Sequence, residues 1–141
     1  MSDAPPYRLL IVEDDPEIRY LLTAILASDD REIISLERGG DAIELLEREA
    51  IDLVVLDLIL PDMDGRSVLT SIRERSATAS TPVVVISARG GSEIRQDCFD
   101  LGADSFTEKP FDPEEVAAEI SARLERRAEP DAVALIDPVS G

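Results

Sequence analysis

"IDLVVLDLIL", residues 51 to 60, is an apolar run with two aspartates, Asp52 at its edge and Asp57 set inside it. The run is too short and too interrupted to cross a membrane. Its valine, leucine and isoleucine content instead reads as a strand buried on both faces, the kind that occupies the middle of a parallel sheet. Burying a carboxylate there is expensive unless a partner neutralises it. Asp57 therefore either caps the loop that follows or belongs to a site, and "LPDMDG" (60–65) already supplies Asp62 and Asp64 for turn and cap work.

Outward from this strand, short β-rich runs alternate with segments of helical period. "YRLLIV" (7–12), "REIISL" (31–36), "IDLVVLD" (51–57), "TPVVVIS" (81–87) and "DSFTE" (104–108) read as strands. Residues 16–28, 40–49, 65–76, 92–102 and 113–127 read as helices. Strict alternation of strand and helix implies an α/β domain with a doubly wound parallel sheet, helices on both faces and right-handed crossovers. That unit spans residues 7–127. Residues 1–6 read as an N-terminal extension, and "AEPDAVALIDPVSG" (128–141), with two prolines and no helical period, reads as a C-terminal tail or linker.

Composition narrows the functional classes. At 141 residues and 44% hydrophobic content the chain makes one domain with a substantial core. A net charge of −17 argues against direct nucleic-acid binding, because phosphate backbones attract basic surfaces. Neither a spanning run nor a signal-peptide pattern is present, so no membrane association is expected and a cytoplasmic location is. Cys98 is the sole cysteine, which precludes an internal disulfide or a thiolate cluster. Histidine is absent, which removes Ser-His-Asp catalysis and histidine-ligated zinc. The basic residues are thirteen arginines and one lysine, Lys109. A lone lysine among arginines suggests a pocket that takes a compact charge and refuses a planar fork.

The acids divide into explained and unexplained. Asp15 is placed to cap a helix that begins with Pro16, and "DPEE" (112–115) repeats the device. Glu13 and Asp14 are not explained that way. They close the first strand, Asp57 closes the third, Ser87 closes the fourth and Lys109 follows the fifth. Ligands bind at the carboxyl ends of such sheets, where strand order reverses, and in the order 2-1-3-4-5 that point lies between the first and third strands. Three carboxylates converging there repel one another and call for a hard cation, of which Mg²⁺ is the best match, with Lys109 opposite.

Together "IVEDDPEIR", "LVVLDLILPDMDG", "TPVVVISA" and "GADSFTEKPF", in that order and spacing over residues 7 to 127, resemble the receiver domain of the response-regulator family, the phosphoacceptor half of two-component signalling. The resemblance implies a flavodoxin-like five-stranded sheet and a Mg²⁺-dependent transfer of a phosphoryl group onto Asp57. The donor would be a sensor histidine kinase or a histidine phosphotransfer protein. It assigns Glu13, Asp14, Asp57 and the backbone carbonyl of Ile59 to the metal, Glu13 acting through water, and Lys109 to a phosphoryl oxygen through a cis Lys109–Pro110 peptide. Ser87 becomes the switch hydroxyl, and Phe106 the switch aromatic that rotates inward from the surface once Ser87 has moved. The domain would act as a phosphorylation switch controlling an output partner or domain, catalysing only its own phosphorylation and slow dephosphorylation.

The resemblance further implies kinase docking on the helix beginning at Pro16 and around Pro110 and Phe111. Ile59 and Arg89 stand where relatives tune water access to the acyl phosphate. Glu119 stands where winged-helix DNA-binding relatives carry a basic residue, so their receiver dimer is not expected, although a different homodimer contact stays open. Two other classes share the fold. An interaction module without phosphorylation would lack one or more site residues, and none is missing. A flavin-binding protein would want a neutral Ser/Thr/Gly loop in place of "EDDP", and an aspartyl-phosphate phosphatase a second acid where Ile59 stands.

Overall fold

A computed structural model describes residues 7–127. The expected extension at 1–6 and tail at 128–141 lie outside the described residues. Five parallel strands, β1 (Tyr7–Val12), β2 (Arg31–Leu36), β3 (Leu53–Leu56), β4 (Val83–Ser87) and β5 (Ser105–Glu108), form one sheet in the order 2-1-3-4-5. They alternate with α1 (Pro16–Leu26), α2 (Gly39–Arg48), α3 (Gly65–Glu74), α4 (Ser92–Asp100) and α5 (Pro113–Arg127).

Strand periodicity sorts the apolar residues into two cores. Leu9, Ile11, Leu53, Val55, Val84 and Ile86 face Leu22 and Leu26 of α1 and Val116, Ile120 and Leu124 of α5. Leu10, Val12, Val54, Leu56, Val83, Val85 and Phe106 face the other way, onto α2, α3 and Cys98 of α4. The three central strands thus contribute to both cores, which is why they read as unbroken apolar runs. Continuing the alternation past each strand end puts Glu13 and Asp57 on the α1/α5 side, and Ser87 on the α4 side with Val85 and Phe106.

Helix starts are set by carboxylates. Asp15 accepts from the Glu17 N–H at 2.9 Å, with Pro16 opening α1, and Asp112 accepts from the Glu114 N–H at 2.9 Å at the start of α5. Asp62 has a less local role: it accepts from the N–H groups of both Gly39 and Gly40, each at 2.9 Å, and so caps α2 from the far side of the loop after β3. α4 is the least anchored helix. It follows Gly91, whose φ of +102° favours glycine, and Cys98 is its one fully buried residue.

Close approach matters most at Gly65, the first residue of α3. Its N–H donates to the Leu58 carbonyl at 2.7 Å. A β-carbon there would collide with the Asp57 carbonyl oxygen and come to 2.6 Å from the Leu58 α-carbon. Both are backbone atoms that cannot swing aside. Gly65→Ala is expected to destabilise the fold by about 1–3 kcal/mol through overpacking. Chemical denaturation checks this, and a midpoint unchanged from wild type would show that the contact is softer than the geometry implies.

Candidate phosphoacceptor site

β1, β3 and β5 deliver their carboxyl ends to one crevice. Register pairs Val12 with Leu56, so the next residues, Glu13 and Asp57, emerge side by side. The Asp57 N–H still donates to the Val12 carbonyl at 3.0 Å, which carries the ladder one step past β3. Glu13 is 1% exposed and Asp57 4%, so neither carboxylate has bulk water to lean on.

Lys109 supplies the missing charge. Its Nζ lies 2.8 Å from Glu13 Oε1 and 3.3 Å from Asp57 Oδ2. The remaining carboxylate oxygens are also engaged: Asp57 Oδ1 accepts from the Ile59 N–H at 3.2 Å, and Glu13 Oε2 from the Asp15 N–H at 3.1 Å. The Lys109–Pro110 peptide is cis, as the resemblance implied, and the Lys109 N–H donates to the Ser87 carbonyl at 2.9 Å. Burial pushes the Glu13 carboxyl up to about 7, against the opposing pull of the Lys109 hydrogen bond. Burial also works against charge on Lys109, but the hydrogen bond to Glu13 and the field of Asp57 outweigh it and raise its pKa, so the ammonium stays charged.

Asp14 completes the acidic cluster from the exposed rim. One carboxylate oxygen from each of Glu13, Asp14 and Asp57 lies within 4.8 Å of the other two. An all-oxygen donor set of hard carboxylates suits a hard divalent cation. Arg19, one turn into α1, holds the loop in place by donating to the carbonyls of Glu13 at 2.9 Å and Asp14 at 3.3 Å. Sequence reading passed over Arg19 and Gly65; an arginine one turn past an acidic pair was the available signal for the former.

Ser87 is fully buried at the end of β4, and its Oγ accepts from the Arg89 N–H at 3.1 Å. Phe106 corrects an expectation. The resemblance led to a ring starting at the surface, but Phe106 is only 6% exposed and packs into the α2/α3/α4 core. A ring without a hydroxyl gives up no hydration by going inward, so burial wins. Ile59, by contrast, is 47% exposed and shares an open cleft with Arg89 beside the loop after β3.

Asp64, expected to do cap work, does more. It accepts from the Arg66 N–H at 2.9 Å as the cap of α3, pairs with the Arg66 guanidinium at 2.8 Å and with Arg89 at 3.3 Å. Arg66 also reaches Asp97 of α4 at 3.1 Å. The loop carrying Asp57 is thereby tied to α3, α4 and the loop after β4.

The fold and the acid–lysine crevice define a phosphoacceptor signalling domain. The sequence profile of the response regulator receiver domain matches residues 9–121, and the chain belongs to that family. It is 38% identical to regulatory protein VanRc of Enterococcus gallinarum over 119 residues, 84% of this chain and 50% of that protein. It is also 38% identical to transcriptional regulatory protein SrrA of Staphylococcus aureus over 118 residues, 84% of this chain and 48% of that protein. The chain thus spans about half the length of these relatives. Among solved structures it resembles the BeF3-activated DrrB receiver domain, with a TM-score of 0.76 and 30% identity over 84% of this chain and 97% of that one. Among the described residues no helix is long and apolar enough to cross a membrane.

The Arg66 hydrogen bond draws the Asp64 carboxyl down to about 2, below the ordinary ~3.9. A depressed carboxyl stabilises the fold fully above pH ~4 and loses that contribution as the pH falls through about 2. The contribution is small, because about a third of the Asp64 side chain is exposed and water screens the pair. Arg66→Ala is expected to raise the Asp64 pKa by about one unit. A carboxyl-carbon NMR titration reads this directly, and an unmoved midpoint would assign the depression to the backbone cap and Arg89.

Proposed function

We propose that Asp57 accepts a phosphoryl group from a phosphohistidine on a sensor histidine kinase or histidine phosphotransfer protein, and that the domain then switches conformation to control an output partner or domain. The observation that carries this reading is the Lys109 ammonium held between two buried carboxylates, Glu13 and Asp57, at the switch point of the sheet. In the transfer, an Asp57 carboxylate oxygen attacks phosphorus as the bond from phosphorus to the donor imidazole nitrogen breaks. No histidine base is needed, since a carboxylate attacks without first giving up a proton to a base.

Glu13, Asp14, Asp57 and the Ile59 carbonyl would hold Mg²⁺, with Glu13 acting through water. When bound, Mg²⁺ supplies positive charge against the phosphoryl oxygens. Lys109 exchanges its bond to Asp57 for one to a phosphoryl oxygen, a short lateral move for an ammonium on a flexible stem. Ser87 already accepts a backbone N–H, so its own proton is available to donate to another phosphoryl oxygen. Phe106, packed on the same face of the sheet, reads the Ser87 position out toward α4.

Residues 7–127 form the receiver unit in this reading, with 1–6 as an extension and 128–141 as a tail or linker, and the domain works in the cytoplasm. Kinase docking falls on α1, where Tyr20 is 79% exposed and Leu21 37%, and around Pro110 and Phe111. Glu119 pairs with Arg123 on its own helix, which supports the expectation that the winged-helix relatives' receiver dimer does not form here; any homodimer would use another contact. The net charge of −17 supports control of output through protein contacts, with no direct nucleic-acid binding by this chain.

Acetyl phosphate with Mg²⁺ is expected to add one phosphoryl mass to the wild type and none to Asp57→Asn, and beryllofluoride with Mg²⁺ to move resonances around Phe106 in the wild type alone. Equal responses from the two proteins would remove the assignment. Ile59 sits over the cleft with Arg89 as an apolar shield against water. Ile59→Asn is therefore expected to shorten the phosphorylated state by about a factor of three, roughly 0.7 kcal/mol of barrier. Decay of the phosphorylated mass with time measures it, and an unchanged lifetime would retire the shielding role.

A further inference from the structure

Arg95 and Phe99 lie one turn apart on the exposed side of α4, while Ile94 and Cys98 turn inward. The Arg95 guanidinium carbon is 5.3 Å from the Phe99 ring centroid and 5.8 Å from that of Phe106, within range of a cation–π contact to both. The same guanidinium donates through Nη1 to the Phe106 carbonyl at 3.3 Å. One side chain thus grips residue 106 by ring and by backbone. Phe106 registers with Val85 across β4 and β5, two residues before Ser87, so the gripped ring and the switch hydroxyl share a face of the sheet.

This grip adds a polar tie to the apolar packing of Ile94 and Cys98 against the core that holds Phe106. The helix buries only Cys98 fully and starts after a glycine at positive φ. Its other polar anchor, Asp97 to Arg66, points to α3. Phe106 also lacks a hydroxyl of its own that could hold it in either position. We propose that Arg95 is a positioning residue of the switch, a clamp that closes over Phe106, holds the ring inward and makes α4 and the ring move as one. The clamp deepens the proposed function, resting on Phe106 as the switch aromatic. It assigns to a cation on α4 the selection between ring positions that a phenolic hydroxyl would otherwise influence from β5.

Incorporation of 4-fluorophenylalanine gives three ¹⁹F resonances, for Phe99, Phe106 and Phe111, which Phe99→Leu and Phe111→Leu assign. In the metal-free protein, Arg95→Ala is expected to move the Phe106 resonance toward the shift of solvent-exposed fluorophenylalanine, with the inward-to-outward ratio falling about five-fold. Arg95→Lys, which keeps the cation and loses the planar fork, is expected to recover part of that shift. Circular dichroism verifies that both variants fold. A Phe106 resonance in Arg95→Ala that superposes on the wild type overturns the clamp, and so does a displaced resonance that lysine does not restore at all. The switch reading is tested separately in the wild type: a Phe106 resonance indifferent both to beryllofluoride with Mg²⁺ and to Ser87→Ala would remove Phe106 as the switch while the metal-free comparison still decided whether Arg95 holds the ring.

Discussion

A single ammonium makes the crevice possible. Lys109 stands between Glu13 and Asp57, two carboxylates almost sealed from water, and without it the ends of β1 and β3 could not carry both charges side by side. Even so the balance is incomplete, because three carboxylates face one cation. Burial raises the Glu13 pKa, against the opposing pull of the Lys109 hydrogen bond. The all-oxygen donor set of Glu13, Asp14 and Asp57 suits a hard divalent cation.

Much of the surrounding structure keeps that arrangement in register. Arg19 holds the carbonyls of the acidic pair from α1, and the glycine at 65 lets α3 press against the backbone of Asp57 and Leu58. Asp62 and Asp64 turn the loop after Asp57 into a junction, one capping α2 and the other capping α3 while binding two arginines. The loop that follows Asp57 is therefore bonded to several helices. Buried apolar side chains anchor α1, α3 and α5 more fully. α4, lightly buried and tethered by polar contacts, is the element with most freedom to respond.

The limits of the sequence reading fall where distant residues intervene. β2 and α5 have the bounds that local pattern predicts, because nothing but their own periodicity sets them. α2 begins one residue earlier than expected, at Gly39, because a carboxylate 23 positions away accepts its first N–H groups. β3 is shorter than its apolar run: Ile51 is buried without being in the ladder, and Asp57 continues the ladder by a single bond. α1 stops at Leu26 because Ala27 turns extended. Phe106 was assigned to the right strand but expected at the surface, since no local signal reveals that a guanidinium from the neighbouring helix covers it.

By itself the sequence determined the α/β alternation and the placing of Glu13, Asp14, Asp57, Ser87 and Lys109 at or just past strand ends, because strand period and position relative to strand ends are local properties; the sheet order was implied by the resemblance its ordered motifs carry. The tertiary structure alone decided which atoms meet: that Lys109 bridges Glu13 and Asp57, that Asp62 serves α2 and that Arg95 lies over Phe106. Contacts between side chains far apart in the chain depend on how helices seat on the sheet, and that seating is a property of the packed core rather than of any one segment.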